Sequence, residues 1–265
     1  MHNFAYHAPQ SLDSAATLLS DNDDGKIIAG GMTLLPTLKQ RLAAPSDLID
    51  LAGVSALRGV RVEGDEVVIG AMTTHAEVAA SEDVKRVIPA LAYLAGVIGD
   101  PAVRHRGTIG GSIANADPAA DYPASVVGLN ATIVTNKRRI AADDYFVGLF
   151  ETALERDEII TEVRFPKPER AAYQKFRHPA SGYAVAGVMV AKFADGVRVG
   201  VTGAGPSAFR ATEMEAALAN SFTSAAIKDV KIDADGMLSD IHCSAVYRAH
   251  LVNVLARRAV DAASA

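Results

Sequence analysis

Two glycine segments constrain this chain more than anything else in it. Ala29-Gly30-Gly31-Met32-Thr33 and Thr108-Ile109-Gly110-Gly111-Ser112 each set a glycine pair beside a small hydroxyl residue, so backbone N–H groups can point outward where a side chain would otherwise stand. A row of bare N–H groups is how a protein holds a diphosphate. The second segment runs on through Asn115 and Asp117-Pro118 to Asp121, whose carboxylate, ten residues past Gly111, offers an acceptor for the sugar-like hydroxyls of a dinucleotide. A flavin dinucleotide fits this arrangement.

The chain has 265 residues, enough for two modest cores, and its even apolar content argues against an extended disordered segment. A net charge of -5 and a pI near 5.8 leave no basic excess of the kind a nucleic-acid backbone requires. The single cysteine, Cys243, excludes an internal disulfide and any zinc or iron–sulfur site built from cysteines, and reads as a small buried hydrophobe. A reducing cytoplasm is the expected location. The N-terminus lacks a basic and apolar leader pattern, and the apolar run Ile88 to Ile98 is too short to span a bilayer.

Periodicity predicts a helix over 11–20, a short strand at 26–29 running into Gly30-Gly31, and a helix from Thr33 to Arg41 with Pro36 in its first turn. Strand, glycine turn and helix start then adjoin, which favours an anion at the helix N-terminus. A strand at 47–51 and a hairpin at 58–62 and 66–70 follow. Thr74 caps a helix through Ala80, and a second helix covers 81–98. Gly99 to Pro123 reads as a long functional loop, with Asp117-Pro118 as an N-cap and N1 pair inside it. Strands at 131–135 and 158–165 close the first domain at Pro166 and Pro168. Beyond come a hairpin at 184–193 and 197–201 and helices at 212–219 and 245–259. The expected division is 1–168 and 169–265, each of α+β texture.

Joined to Ile98-Gly99-Asp100-Pro101-Ala102-Val103-Arg104-His105-Arg106-Gly107, the two glycine segments make the chain resemble the FAD-binding medium subunit of bacterial molybdenum hydroxylases, from residue 4 to the C-terminal helix. That group includes carbon monoxide dehydrogenase, nicotine dehydrogenase and the flavin domain of xanthine dehydrogenase. The resemblance implies an α+β fold of two subdomains gripping FAD, of the PCMH or vanillyl-alcohol-oxidase type, followed by a C-terminal domain with a small antiparallel sheet. It implies that Ala29, Gly30, Gly31, Met32, Thr33 and Leu34 line one side of the pyrophosphate and Thr108, Ile109, Gly110, Gly111, Ser112 and Asn115 the other. Asp121 would bind ribityl hydroxyls, Ile98 would pack near the adenine or flavin end, and Ile160 or Thr161 would follow the isoalloxazine edge. Lys175 matches a lysine near the cofactor, and Tyr183 a wall over the ring. The implied partners are a molybdenum-cofactor large subunit, a [2Fe-2S] small subunit and an external electron acceptor. The cysteines of the related 4-hydroxybenzoyl-CoA reductase subunit, which hold an extra cluster, are missing.

Each residue also has an ordinary structural reading. Asp121 can act as a first-turn acid on a helix dipole. His75 sits at a helix start, where capping or packing is the usual role, and His178 before Pro179 is a loop residue. Of Arg104, His105 and Arg106, only Arg104 is a candidate phosphate clamp. Gly203-Ala204-Gly205-Pro206-Ser207-Ala208 is a formal dinucleotide fingerprint, but it follows an antiparallel hairpin and Pro206 removes a donor. Two alternatives thus stand beside the flavoprotein reading: a Rossmann-type NAD-dependent dehydrogenase using Gly203 and Gly205, and a cofactor-free assembly protein of the same fold. No nucleophile set, carboxylate pair or metal-ligand spacing stands out, so redox chemistry would belong to a cofactor.

Overall fold

The computed structural model describes residues 1–265. The chain opens with a small parallel sheet built from β1 (Ala5–His7), β2 (Lys26–Ile28) and β3 (Asp47–Asp50), in the order β1-β3-β2. Parallel strands need crossovers, supplied here by α1 (Leu12–Asp21) and α2 (Leu34–Lys39). Ser11 caps α1 by accepting the Ser14 N–H, and Ala15 and Leu19 bury the inner face. Thr33 holds the N-cap position of α2 without a side-chain capping bond, and that helix stops at Lys39, short of the expected Arg41.

A larger sheet follows, in the order β4-β5-β10-β6-β7. The hairpin of β4 (Val60–Glu63) and β5 (Glu66–Gly70) leads into α3 (His75–Ala80), closed at its start by a full capping box between Thr74 and Glu77. The helix expected over 81–98 is two, α4 (Glu82–Val87) and α5 (Pro89–Gly96). Pro89 cannot donate inside a helix and forces Ile88 out of helical geometry, so the run breaks there. The stretch read as a loop also holds structure: α6 (Pro101–Arg104), capped by Asp100, and α7 (Ile109–Asn115), capped by Thr108. Gly110 and Gly111 hid the second of these from propensity reasoning. Asp117 does not cap a helix. It accepts the Ala119 N–H in a local turn, and the next helix is α8 (Tyr122–Gly128).

The sheet is completed by β6 (Thr132–Thr135) and β7 (Arg139–Ala141). A short helix α9 (Ala142–Tyr145) and the hairpin β8 (Phe146–Gly148) and β9 (Glu151–Thr152) then lead to β10 (Ile160–Pro166) in the sheet's centre. Val67, Ile69, Ile133, Val163 and Phe165 point from these strands into a core closed by Leu91, Leu94, Ile109, Ile113 and Tyr122. Residues beyond Pro168 form a separate antiparallel sheet, β11 (Arg170–Arg177), β12 (Ala184–Phe193), β13 (Gly196–Thr202) and β14 (Phe209–Arg210), with α10 (Thr212–Asn220) and α11 (Ala245–Ser264) against it. β11 escaped sequence reasoning because both of its faces are covered, Ala172 facing α11 while Tyr173 and Lys175 face the main core and Asp121, so no apolar alternation marks it. Gly200 lets α8 press onto β13: a β-carbon there would stand 2.3 Å from the Ala124 carbonyl oxygen. The chain from Gly203 to Ala208 is a tight turn leaving β13. The Gly203 N–H donates to the Pro118 carbonyl and its own carbonyl accepts from Arg248, so the formal fingerprint has no parallel strand and no free phosphate donor at Gly203.

The link between β6 and β10 is pinned by Glu158, whose side chain is fully buried. It accepts from Thr135 Oγ1, the Arg138 guanidinium and the Glu155 N–H. Burial pushes this carboxyl up, but those hydrogen bonds outweigh it and hold the group at about 2. A depressed folded-state value means stabilisation that is complete above the unfolded value of 4.5 and is lost as pH falls toward 2. Glu158→Gln is expected to lower stability at neutral pH by on the order of 3 kcal/mol and to flatten the acid limb below that unfolded value. Urea unfolding at a series of pH values checks this, and an unchanged acid limb refutes it.

Candidate cofactor-binding site

A cleft of about 580 Å³ lies between the small parallel sheet, the start of α7 and the 152–160 segment, a size suited to an organic cofactor. The two glycine segments meet on its wall. A β-carbon at Gly30 would stand 2.0 Å from the Arg106 carbonyl oxygen and 2.8 Å from Gly107 Cα, and one at Gly111 would stand 3.4 Å from Ala29 Cβ. Gly31 takes a left-handed φ of +74°, which turns the chain off β2 and into α2. From Gly30 through Leu34, five consecutive backbone N–H groups donate to no acceptor in the protein.

The second segment works differently from the expectation of bare N–H groups. The Ile109 N–H donates to the Thr73 carbonyl, that of Gly110 to the Ala71 carbonyl, that of Gly111 to Thr108 Oγ1 and that of Ser112 to the Thr108 carbonyl. The first two donors tie the start of α7 to the Ala71–Thr73 segment and the last two open the helix itself. The glycines here serve approach instead: a β-carbon at Gly110 would meet Ala71 at 2.6 Å. One segment therefore presents donors, and the other lets a helix close against it.

Ala29, Gly30, Gly31, Met32, Thr33, Leu34, Ile98, Thr108, Gly110, Gly111, Ser112, Asn115, Asp121, Ile160 and Tyr183 all line the cleft. Four of the residues singled out in the sequence do not. Ile109 is wholly buried in the main core, because it occupies the inward position of the first turn of α7. Thr161 turns away and donates to the Val134 carbonyl within the sheet. Lys175 lies one shell behind the wall, where its ammonium meets Asp121 at 2.9 Å and donates to the carbonyls of Val97 and Gly182. Arg104 donates to the Ile98 carbonyl and holds that loop rather than facing the cleft.

Asp121 is 2% exposed and accepts from Tyr173 Oη at 2.6 Å as well as from Lys175. Burial pushes its carboxyl up and the Lys175 ammonium down, and each charge opposes the other's shift. Both partners come from β11, so this cluster fastens the third sheet to the cleft wall beside Tyr183. Sequence reasoning missed Lys26, His75, Arg156 and Glu158 as cleft residues. Arg156 lines the cleft and donates to the carbonyls of Ser20 and Asn22 at the end of α1. No local signal marks such a residue, since its partners lie far off in the chain.

The residues present fit a flavin dinucleotide on three counts: a row of unspent donors for a diphosphate, glycines where a β-carbon would fill the cradle, and apolar walls at Ile98, Ile160 and Tyr183. No helix is long and apolar enough to cross a membrane. Comparison with known proteins agrees. Residues 2–168 match the family described as the FAD binding domain in molybdopterin dehydrogenase. The chain is 36% identical to the carbon monoxide dehydrogenase medium chain of Hydrogenophaga pseudoflava, over 98% of this chain and 96% of that one. It is 39% identical to the nicotine 6-hydroxylase medium subunit of Paenarthrobacter nicotinovorans, over 98% and 97%. A solved structure of the Hydrogenophaga pseudoflava carbon monoxide dehydrogenase, in a form lacking the Mo-pyranopterin moiety, superposes with a TM-score of 0.91 at 37% identity, covering 99% of this chain and 97% of that one. With a family match over residues 2–168, relatives more than a third identical along almost the whole chain and the same fold, the protein belongs to the FAD-binding family of the molybdopterin dehydrogenases, and its cofactor is FAD.

Proposed function

We propose that this chain is the FAD-carrying electron-transfer subunit of a multi-subunit molybdenum hydroxylase, working with a molybdenum-cofactor large subunit and a [2Fe-2S] small subunit. In this reading it takes electrons from the partner's iron–sulfur centres and passes them to an external acceptor. The observation that carries it is the run of five unspent N–H groups from Gly30 to Leu34, facing a cofactor-sized cleft. The relatives' names supply the context, since several are medium chains or FAD subunits of dehydrogenases.

The flavin, when bound, supplies the redox chemistry that no side chain of this protein can supply. The chain binds, orients and shields. Gly30 to Leu34 hold the diphosphate, with the dipole of a helix start adding to the attraction. Thr108, Gly110, Gly111, Ser112 and Asn115 form the opposite wall. Asp121 keeps acceptor capacity for a hydroxyl beyond its bonds to Tyr173 and Lys175. Ile98, Ile160 and Tyr183 exclude water from the ring, and Lys175, Thr161 and Ile109 support the wall from behind. A domain division after residue 168 belongs to the same reading, with 169–265 covering the cleft through Tyr183.

The purified chain should carry FAD at one per chain, read from its visible absorbance, and a colourless protein that refuses added FAD overturns the assignment. Co-purification from the native source should bring molybdenum and iron with two further subunits. Gly30→Val should abolish FAD retention, because the added atoms collide with the Arg106 carbonyl, while Gly205→Ala should leave it intact; the reverse pattern supports the Rossmann alternative. Asp121→Asn leaves the Lys175 ammonium buried among carbonyls and should cost roughly 3–5 kcal/mol in urea unfolding. Pairing that change with Lys175→Met should recover part of the loss, and strict additivity in that cycle refutes the coupling.

A further inference from the structure

His75 is a buried imidazole that the proposed function leaves without a task. It is 4% exposed, its ring packs against Tyr122 with centroids 5.3 Å apart, and its backbone N–H is spent on the Gly107 carbonyl. Nδ1 is sealed from solvent and has no hydrogen-bond partner, yet the residue lines the cleft. Nε2 is therefore the polar edge that reaches it. A β-carbon at Gly107 would come within 2.6 Å of Nε2, so the missing side chain at 107 is what admits this edge. Gly107 Cα in turn packs under Gly30, the first of the five unspent donors.

The proton's position follows from burial. A sealed N–H without a partner is rarer than a sealed lone pair without one, so the hydrogen belongs on Nε2 and the lone pair on Nδ1. Desolvation, followed by the nearby Arg104 charge, holds the imidazolium form down to about pH 4, and the ring is neutral at ordinary pH. A neutral ring with a single outward N–H is a fixed hydrogen-bond donor. It stands behind the turn that presents the backbone donors, one glycine away from them.

We propose that His75 donates a hydrogen bond from Nε2 to a phosphate oxygen of the bound dinucleotide, extending the Gly30–Leu34 row by one side-chain donor. This rests on the placement of the diphosphate at that row. The probes are FAD and riboflavin, which carries no phosphate, added to the full chain with 15N-labelled histidine after any co-purified FAD has been removed. The His75 signals should show the Nε2–H tautomer, and Nε2 should shift with FAD but not with riboflavin. His75→Gln, which keeps an amide donor, should bind FAD within about threefold of the parent, and His75→Leu about ten- to a hundredfold more weakly, as for loss of a hydrogen bond to a charged group. An Nδ1–H tautomer, an Nε2 signal indifferent to FAD, or a folded His75→Leu protein with parental affinity each overturns the proposal. Should His75→Leu fail to fold, the resonances of the parent protein decide alone. A parent that takes up no FAD sinks the diphosphate placement as well, whereas one that loads FAD with Nε2 unmoved sinks only the role of His75.

Discussion

The contact of Gly30 with the Arg106–Gly107 backbone is the constraint on which the rest of the structure turns. At 2.0 Å from a virtual β-carbon to a carbonyl oxygen, no side chain fits, and no neighbouring side chain can swing aside to make room because the obstacle is main chain. The small parallel sheet and the α6–α7 connection are thereby locked face to face. The side of the cleft built from residues 29–34 inherits its position from that lock. Gly31 can then take its left-handed turn, and the N–H groups from Gly30 to Leu34, on residues that line the cleft, are left without an acceptor in the protein.

A second fixed point holds the C-terminal sheet. Asp121 and Lys175 are nearly sealed from water, and a buried ion pair contributes less to stability than to uniqueness of placement, because either partner alone is costly to bury. Tyr173 and the carbonyls of Val97 and Gly182 complete the shell, so one ammonium reads out the positions of α5, α8 and the turn before Tyr183 at once. The wall residue Tyr183 is thus placed by a charge far along the chain from the glycine lock. Arg156 ties the remaining side, drawing the 152–158 segment toward α1.

Much of this architecture was legible in the sequence where local chemistry and tertiary demand coincide. Thr74 and the hairpin at 184–193 and 197–201 announced their elements because capping and hairpin geometry are local. Failures arose where a residue served a distant partner. Gly110 and Gly111 read as loop residues, yet they start α7 because Ala71 needs the space. β11 lost its alternation to Lys175, which is buried only because Asp121 waits for it. At the cleft, glycines and small hydroxyl residues marked the wall, whereas Lys26, Arg156 and Glu158 carry no motif and are recruited by the fold alone.

The unequal roles of the two glycine segments follow from what precedes each. After a strand, the chain at Gly30-Gly31 has just left its ladder, and nothing in the short α2 supplies acceptors to its first N–H groups, so they stay available. At Thr108 the chain enters α7 alongside the Ala71–Thr73 strand exit, whose carbonyls accept the Ile109 and Gly110 donors before any ligand could. A single glycine-pair motif therefore encodes two physical outcomes, donor display and close approach, and the acceptors nearby decide which. A cradle needs both: displayed donors bind an anion firmly only when the opposite wall can close to van der Waals distance and keep water from competing for them.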